Sequence, residues 1–165
     1  MTHRPYLTTL LLLALGACED DDPGDETCTI STTIAGDVTY SLPGPDNVAC
    51  LTQFSSTAFP GLDIEYASFN ERSLRVDLAV DAVTKGMTGD GFATEVRVLD
   101  GDIIVASIDC TVDIGEHALV GPAELGNESW QVRGAGRCNG PLTNDDGKSV
   151  TLTPFEFAAQ ITWTD

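Results

Sequence analysis

The segment Phe155-Glu-Phe-Ala-Ala-Gln-Ile-Thr-Trp-Thr164 decides the fold. Phe155, Phe157, Ala159, Ile161 and Trp163 alternate with Glu156, Ala158, Gln160, Thr162 and Thr164. A period of two sustained over this length is that of a strand with one face on a core and the other toward water. It is the longest and clearest such run in the chain. Pro154 precedes it, where a strand can begin but a central strand cannot continue. The same period recurs in Leu74, Val76, Leu78 and Val80, which alternate with Arg75, Asp77, Ala79 and Asp81. It recurs again in Trp130, Val132, Gly134, Gly136 and Cys138 against Gln131, Arg133, Ala135 and Arg137. Two glycines on the apolar side of that last run predict a bulge or a close approach by another side chain.

Turn residues punctuate these runs. Asp100-Gly101 separates ATEVRVL from DIIVASI, and Ala35-Gly36 separates CTISTTI from DVTYSL. Both predict hairpins. Pro43 to Asp46, Gly86 to Gly91 and Asn144 to Gly147 read as loops. No stretch carries a helical period over ten residues, and Ala123 to Asn127 supplies one helical turn at most. There is no internal repeat. About eight or nine short strands predict an all-β domain. The expected architecture is a single antiparallel β-sandwich, immunoglobulin-like or jelly-roll-like, with a small β-barrel as the alternative.

The net charge of −18 argues against nucleic acid, whose phosphates need a basic surface, and against docking on anionic lipid. It favours cations, neutral sugars, basic proteins or subunits bridged by divalent ions as partners.

The chain opens with Arg4 and an apolar run from Leu7 to Leu15. That run is too short to span a bilayer core, which takes about 20 residues, and has the length of a signal-peptide core. Small Gly16 and Ala17 follow, then Cys18. Leu15-Gly16-Ala17-Cys18 resembles the lipobox of bacterial lipoproteins, and the resemblance covers the first 18 residues. It implies a diacylglycerol on the Cys18 sulfur, cleavage before Cys18 and acylation of the new amino terminus. It also implies a place in the bacterial cell envelope, held to a membrane on the exported side. Two or three acyl chains hold a protein firmly where one does not.

Glu19, Asp20, Asp21, Asp22, Asp25 and Glu26 come next. Such a run repels itself and cannot bury apolar surface, so it reads as a solvated tether rather than a calcium site. The expected organisation is a signal peptide at 1–17, a lipidated cysteine and tether at 18–26, and a β domain at 27–165.

Four further cysteines, Cys28, Cys50, Cys110 and Cys138, lie in that domain. The number is even, the implied compartment is oxidising, and none shows the close C-x-x-C spacing of a zinc site. Of three connectivities the sequential one, Cys28–Cys50 and Cys110–Cys138, is expected. Each bridge would then close a loop of roughly 20 to 30 residues, worth about 3 to 4 kcal/mol in the chain-entropy model.

Motifs for chemistry are sparse. His117 is the one histidine outside the leader, and no G-x-S-x-G elbow accompanies it. It reads as a surface or strand-edge residue, and a single histidine excludes a multi-histidine metal centre. Asp77 and Asp81 share a strand face but stand about 13 Å apart, and Asp109 and Asp113 would do the same. The pairs of carboxylates that glycoside hydrolysis requires must therefore be sought across strands. Candidate calcium oxygens are Asn144, Asp145, Asp146 and, in a second loop, Asp90. Neither loop matches the helix-loop-helix calcium pattern, and turn chemistry accounts for both. Trp130 and Trp163 read as core anchors, and are also the candidates for a ligand groove. The sequon Asn127-Glu128-Ser129 has no meaning beside a bacterial lipobox.

The expected function is thus non-enzymatic: a membrane-anchored envelope lipoprotein acting as a binding or assembly module toward envelope proteins or glycans. No cofactor is expected beyond a structural calcium. The alternatives are a carbohydrate-binding module, calcium-dependent in one version, and a small two-carboxylate hydrolase.

Overall fold

The computed structural model describes residues 28–42, 48–56, 59–69, 73–122 and 127–164. The expected signal peptide and acidic tether, Cys18, the expected loop Pro43 to Asp46 and residues 123–126 of the expected helical turn lie outside the described residues.

The described residues form eleven strands: β1 (Thr29–Gly36), β2 (Tyr40–Leu42), β3 (Val48–Ser56), β4 (Phe59–Phe69), β5 (Ser73–Asp81), β6 (Gly89–Asp100), β7 (Ile103–Pro122), β8 (Glu128–Cys138), β9 (Leu142–Thr143), β10 (Ser149–Leu152) and β11 (Phe155–Thr164). The architecture is all-β, as the alternation predicts, and the arrangement is a β-sandwich whose two layers are continuous. The hydrogen-bonded order is β2-β1-β10-β9-β7-β6-β5-β4-β3-β11-β8, with further pairings of β1 to β11 and β7 to β8. The β7–β8 pairing closes a circuit through β6, β5, β4, β3 and β11. The flap β2-β1-β10-β9 lies outside that circuit, so the whole is not a clean barrel. The pairings are antiparallel except β3 with β11, which runs parallel from Phe54 opposite Thr162 to Ser56 opposite Thr164.

Three expectations need correction. There are more strands than eight or nine, because β2 and β9 are too short to show alternation. The longest strand is β7 at 20 residues rather than β11 at 10. Gly89 to Gly91 opens β6 and is not loop.

The core gathers the inward rows of these strands. Leu62, Ile64 and Tyr66 come from β4, Leu74, Val76, Leu78 and Val80 from β5, and Val96 and Val98 from β6. β11 contributes all five apolar residues of its alternation. Each fully buried side chain of this kind contributes about 1.5 to 3 kcal/mol. Tyr66 also donates its hydroxyl to the Ala158 carbonyl at 3.1 Å, tying β4 to β11 through the interior. Burial pushes its phenol far above the ordinary range.

Both expected hairpins form. Asp100 faces Ile103 across a turn in which Gly101 has φ +59°, and Thr32 to Ile34 pair with Leu42 to Tyr40. The two glycines of β8 serve close approach. They oppose Phe157 and Phe155 of β11, and a Cβ on Gly134 would stand 2.8 Å from the Phe157 ring. A Cβ on Gly136 would collide with the Phe155 ring and stand 2.8 Å from Val112. The disulfides pair sequentially, Cys28 with Cys50 and Cys110 with Cys138. The second joins residues directly opposite on β7 and β8.

Candidate functional site

Because β4, β5 and β6 send Ile64, Leu78 and Val96 inward, their intervening residues line up on the outer face. Register sets them in rows. Asp63 faces Ala79, which faces Glu95, and Glu65 faces Asp77, which faces Arg97. Ala79 is the small member of its row, so flanking Asp63 and Glu95 overhang a hollow of about 200 Å³. This is the cross-strand grouping of carboxylates that linear spacing does not reveal.

The hollow is electrostatically uneven. Arg75 reaches Glu65 at 2.7 Å, and Arg97 reaches Glu95 at 2.7 Å. That bond and the charge of Glu95 raise the Arg97 guanidinium further above its already high value. Asp77 is different. Its Oδ1 is buried and has no hydrogen-bond partner among the described residues. Desolvation, reinforced by Glu65, raises its carboxyl above the ordinary value, against the opposing pull of Arg75 and Arg97. A carboxylate oxygen lacking a donor in such a place is stabilised by any N–H or cation brought to it.

The hollow borders an apolar stripe. On β7 the outward residues are Ile104, Ala106 and Ile108, with Leu99 of β6 opposite Ile104. Ile104 is 52% exposed and Ile108 82%. Ile108 lies at a register shift facing Glu95, where β7 carries an extra residue.

The sites expected from sequence fare differently. Trp163 is 1% exposed and is a core residue, which removes it from any ligand groove. Trp130 is half-buried, its indole N–H donating to Glu128 at 3.0 Å. His117 is not a surface residue: it is 7% exposed, between the two tryptophans. Asn144, Asp145 and Asp146 form a turn that satisfies itself. Asn144 Oδ1 accepts from the amides of Asp146 and Lys148, and its Nδ2 donates to the Ile104 carbonyl. Asp90 is exposed on β6, beside Gly91, whose amide donates to Asp113 at 2.7 Å. Among the described residues no three His, Cys, Asp or Glu side chains converge on one point. Asp109 binds the amide and side chain of Asn139, separate from Asp113. Cys18 lies outside the described residues.

A second, shallower depression of about 670 Å³ crosses β1, β7, β8 and β11. Two of its four carboxylates have partners: Glu116 meets Arg133 at 3.3 Å, and Asp113 accepts from the Gly91 amide, while Asp90 and Glu156 also line it. No protein-family model, curated protein or solved structure matches this chain.

Proposed function

We propose that this protein is a lipid-anchored lipoprotein of the bacterial cell envelope, and that its β-sandwich is a non-enzymatic binding or assembly module contacting its partner through the outer face of β4 to β7. The lipobox-like Leu15 to Cys18 and the acidic tether behind it support the anchor. The two disulfides support an exported site, since such bridges persist in oxidising compartments.

The observation that carries the binding surface is the exposure of Ile104 and Ile108 on one strand face beside the acidic hollow. A lone exposed isoleucine needs no explanation, but an apolar stripe rimmed by charge is the layout of a contact surface. The hollow is smaller than the roughly 300 Å³ at which small-molecule pockets begin. It suits one cationic group presented by a larger partner, with apolar neighbours covering the stripe. The strong negative charge of the chain makes a basic partner the favoured kind.

The test is native co-purification of the full-length chain from gently solubilised membranes, against an Ile104→Ser/Ile108→Ser variant. A stoichiometric basic partner retained by the wild type and lost by the variant supports the reading. Equal retention by both refutes this face. The anchor is tested separately: Cys18→Ser should remove the diacylglyceryl mass and leave the leader uncut, and an unchanged mass of the amino-terminal peptide refutes the lipid anchor.

One observation favours a second reading, a two-carboxylate hydrolase. Glu65 and Asp77 oppose each other, and burial raises the pKa of Asp77, the direction a general acid requires. Asp77→Asn would abolish any glycan hydrolysis the wild type displays; hydrolysis unchanged in that variant discards this reading.

A further inference from the structure

His117 is the one histidine of the domain, and it touches both tryptophans of the chain. Its ring stacks on Trp163 with centroids 5.8 Å apart and meets Trp130 edge-on at 5.3 Å. Its two nitrogens are both engaged. Trp163 donates its indole N–H to His117 Nε2 at 3.2 Å, and His117 Nδ1 lies 3.2 Å from the Met87 carbonyl oxygen. An indole nitrogen is a donor only, and a carbonyl oxygen an acceptor only. The ring must therefore be the neutral tautomer with its proton on Nδ1. Geometry alone dictates this assignment.

Met87 belongs to the connection of residues 82–88 between β5 and β6, which is held against the end of β7 and β8. Val83 is buried at its start, Lys85 pairs with Glu128 of β8 at 3.2 Å, and Gly86 lies against the Trp130 ring. Ala82 has φ +58°, the left-handed backbone that a non-glycine residue adopts at a cost of about 1 to 2 kcal/mol. The connection covers a stretch of β7 that β6 does not reach, since the β6 pairing ends with Gly89 opposite Ile114.

We propose that His117 is an acid-sensitive latch: proton uptake at Nε2 sets N–H against N–H at Trp163 and displaces the imidazole, together with the 82–88 connection, from the aromatic floor. The Met87 bond survives the change, because Nδ1 donates in both charge states. The ring and the connection therefore move as one piece. They uncover Trp130 and Trp163 next to Leu119 and Val120, which are already 53% and 56% exposed. Acid thus enlarges an apolar surface at one end of the sandwich.

The charged groups on the surrounding elements do not oppose this. Lys85 and Glu128 pair with each other, and Glu128 also accepts from Trp130. Glu116 on β7 turns outward to Arg133. β11 presents Trp163 itself. Burial holds the imidazole below its ordinary value of 6.5, with the Met87 carbonyl opposing in part. The neutral form therefore predominates at and above pH 6.5, and the latch opens as the pH falls through the lowered folded value.

Imidazole nitrogen chemical shifts of the wild-type mature protein test the tautomer without any variant. Nδ1–H at pH 7.5 is expected; Nε2–H overturns the proposal. Tryptophan emission and amide-exchange protection of residues 84–88, followed from pH 8 to pH 4, test the motion. The expected result is a red shift with a midpoint below 6.5, with protection falling up to about tenfold per pH unit through the transition. His117→Gln keeps one acceptor and one donor without titrating, and should flatten both curves. The same transition in that variant, or none in the wild type, overturns the latch.

Discussion

The ring of Phe155 on β11 fills the space that a side chain at Gly136 on β8 would need. The relationship is reciprocal: the glycine is tolerated in mid-strand because the aromatic covers it, and the aromatic reaches the core because the glycine admits it. Gly136→Ala should cost about 1 to 3 kcal/mol by overpacking, and Phe155→Ala about 3 to 5 kcal/mol by leaving a void. Combining the two should cost less than the separate effects added, because the new methyl occupies part of the void. Urea denaturation of the three variants checks this non-additivity.

Reduction of the Cys110–Cys138 bridge should destabilise the domain by about 3 kcal/mol while leaving the strand register in place. The two cysteines are already paired across β7 and β8 by the backbone ladder. A Cys110→Ala/Cys138→Ala variant should melt earlier with an unchanged far-ultraviolet spectrum. A lost spectrum would show that the bridge is required to form the pairing.

Asp77→Asn should stabilise the domain at pH 7. Folding raises the pKa of this carboxyl, so it binds protons more tightly folded than unfolded, and stability falls as pH rises from the unfolded value through the folded one. The advantage of the variant should shrink as the pH falls below the ordinary value of 3.8, where both chains come to carry a neutral group. Thermal melts at pH 7 and pH 3.5 measure the difference. A variant that is more stable and yet loses partner binding would identify Asp77 as a binding residue kept at the expense of stability.

Tyr66→Phe should cost about 0.5 to 1.5 kcal/mol, the net value of one hydrogen bond, with part of that from leaving the Ala158 carbonyl without its hydroxyl. Because the bond joins β4 to β11, amide exchange should accelerate on both strands. Acceleration confined to β4 would contradict a tie between them.

Strands that keep one phase were legible in the sequence, and β5 and β11 are the clear cases. β7 was not, because its phase slips. Val112 and Ile114 point inward, yet Glu116 is exposed and His117 is buried. The shift between Ile114 and Glu116, at Gly115, moves the inward row from even to odd positions. This slip is why His117 read as a surface residue, and a glycine within a strand pattern was the signal that could have corrected it. The acidic hollow was illegible for another reason. Asp63, Asp77 and Glu95 come from three strands, and only register brings them together. The even number of cysteines made two bridges legible, but it left three connectivities, and register is what sets Cys110 opposite Cys138.

The last strand in chain order, β11, is hydrogen-bonded to β1, β3 and β8. Until it arrives, the ten strands before it cannot close their circuit, and Gly134 and Gly136 face no rings. The pairings from β3 through β8 need no β11, so it is closure of the circuit, not strand pairing as such, that waits for it. On the export route proposed above, that closure would fall after β11 has crossed the membrane.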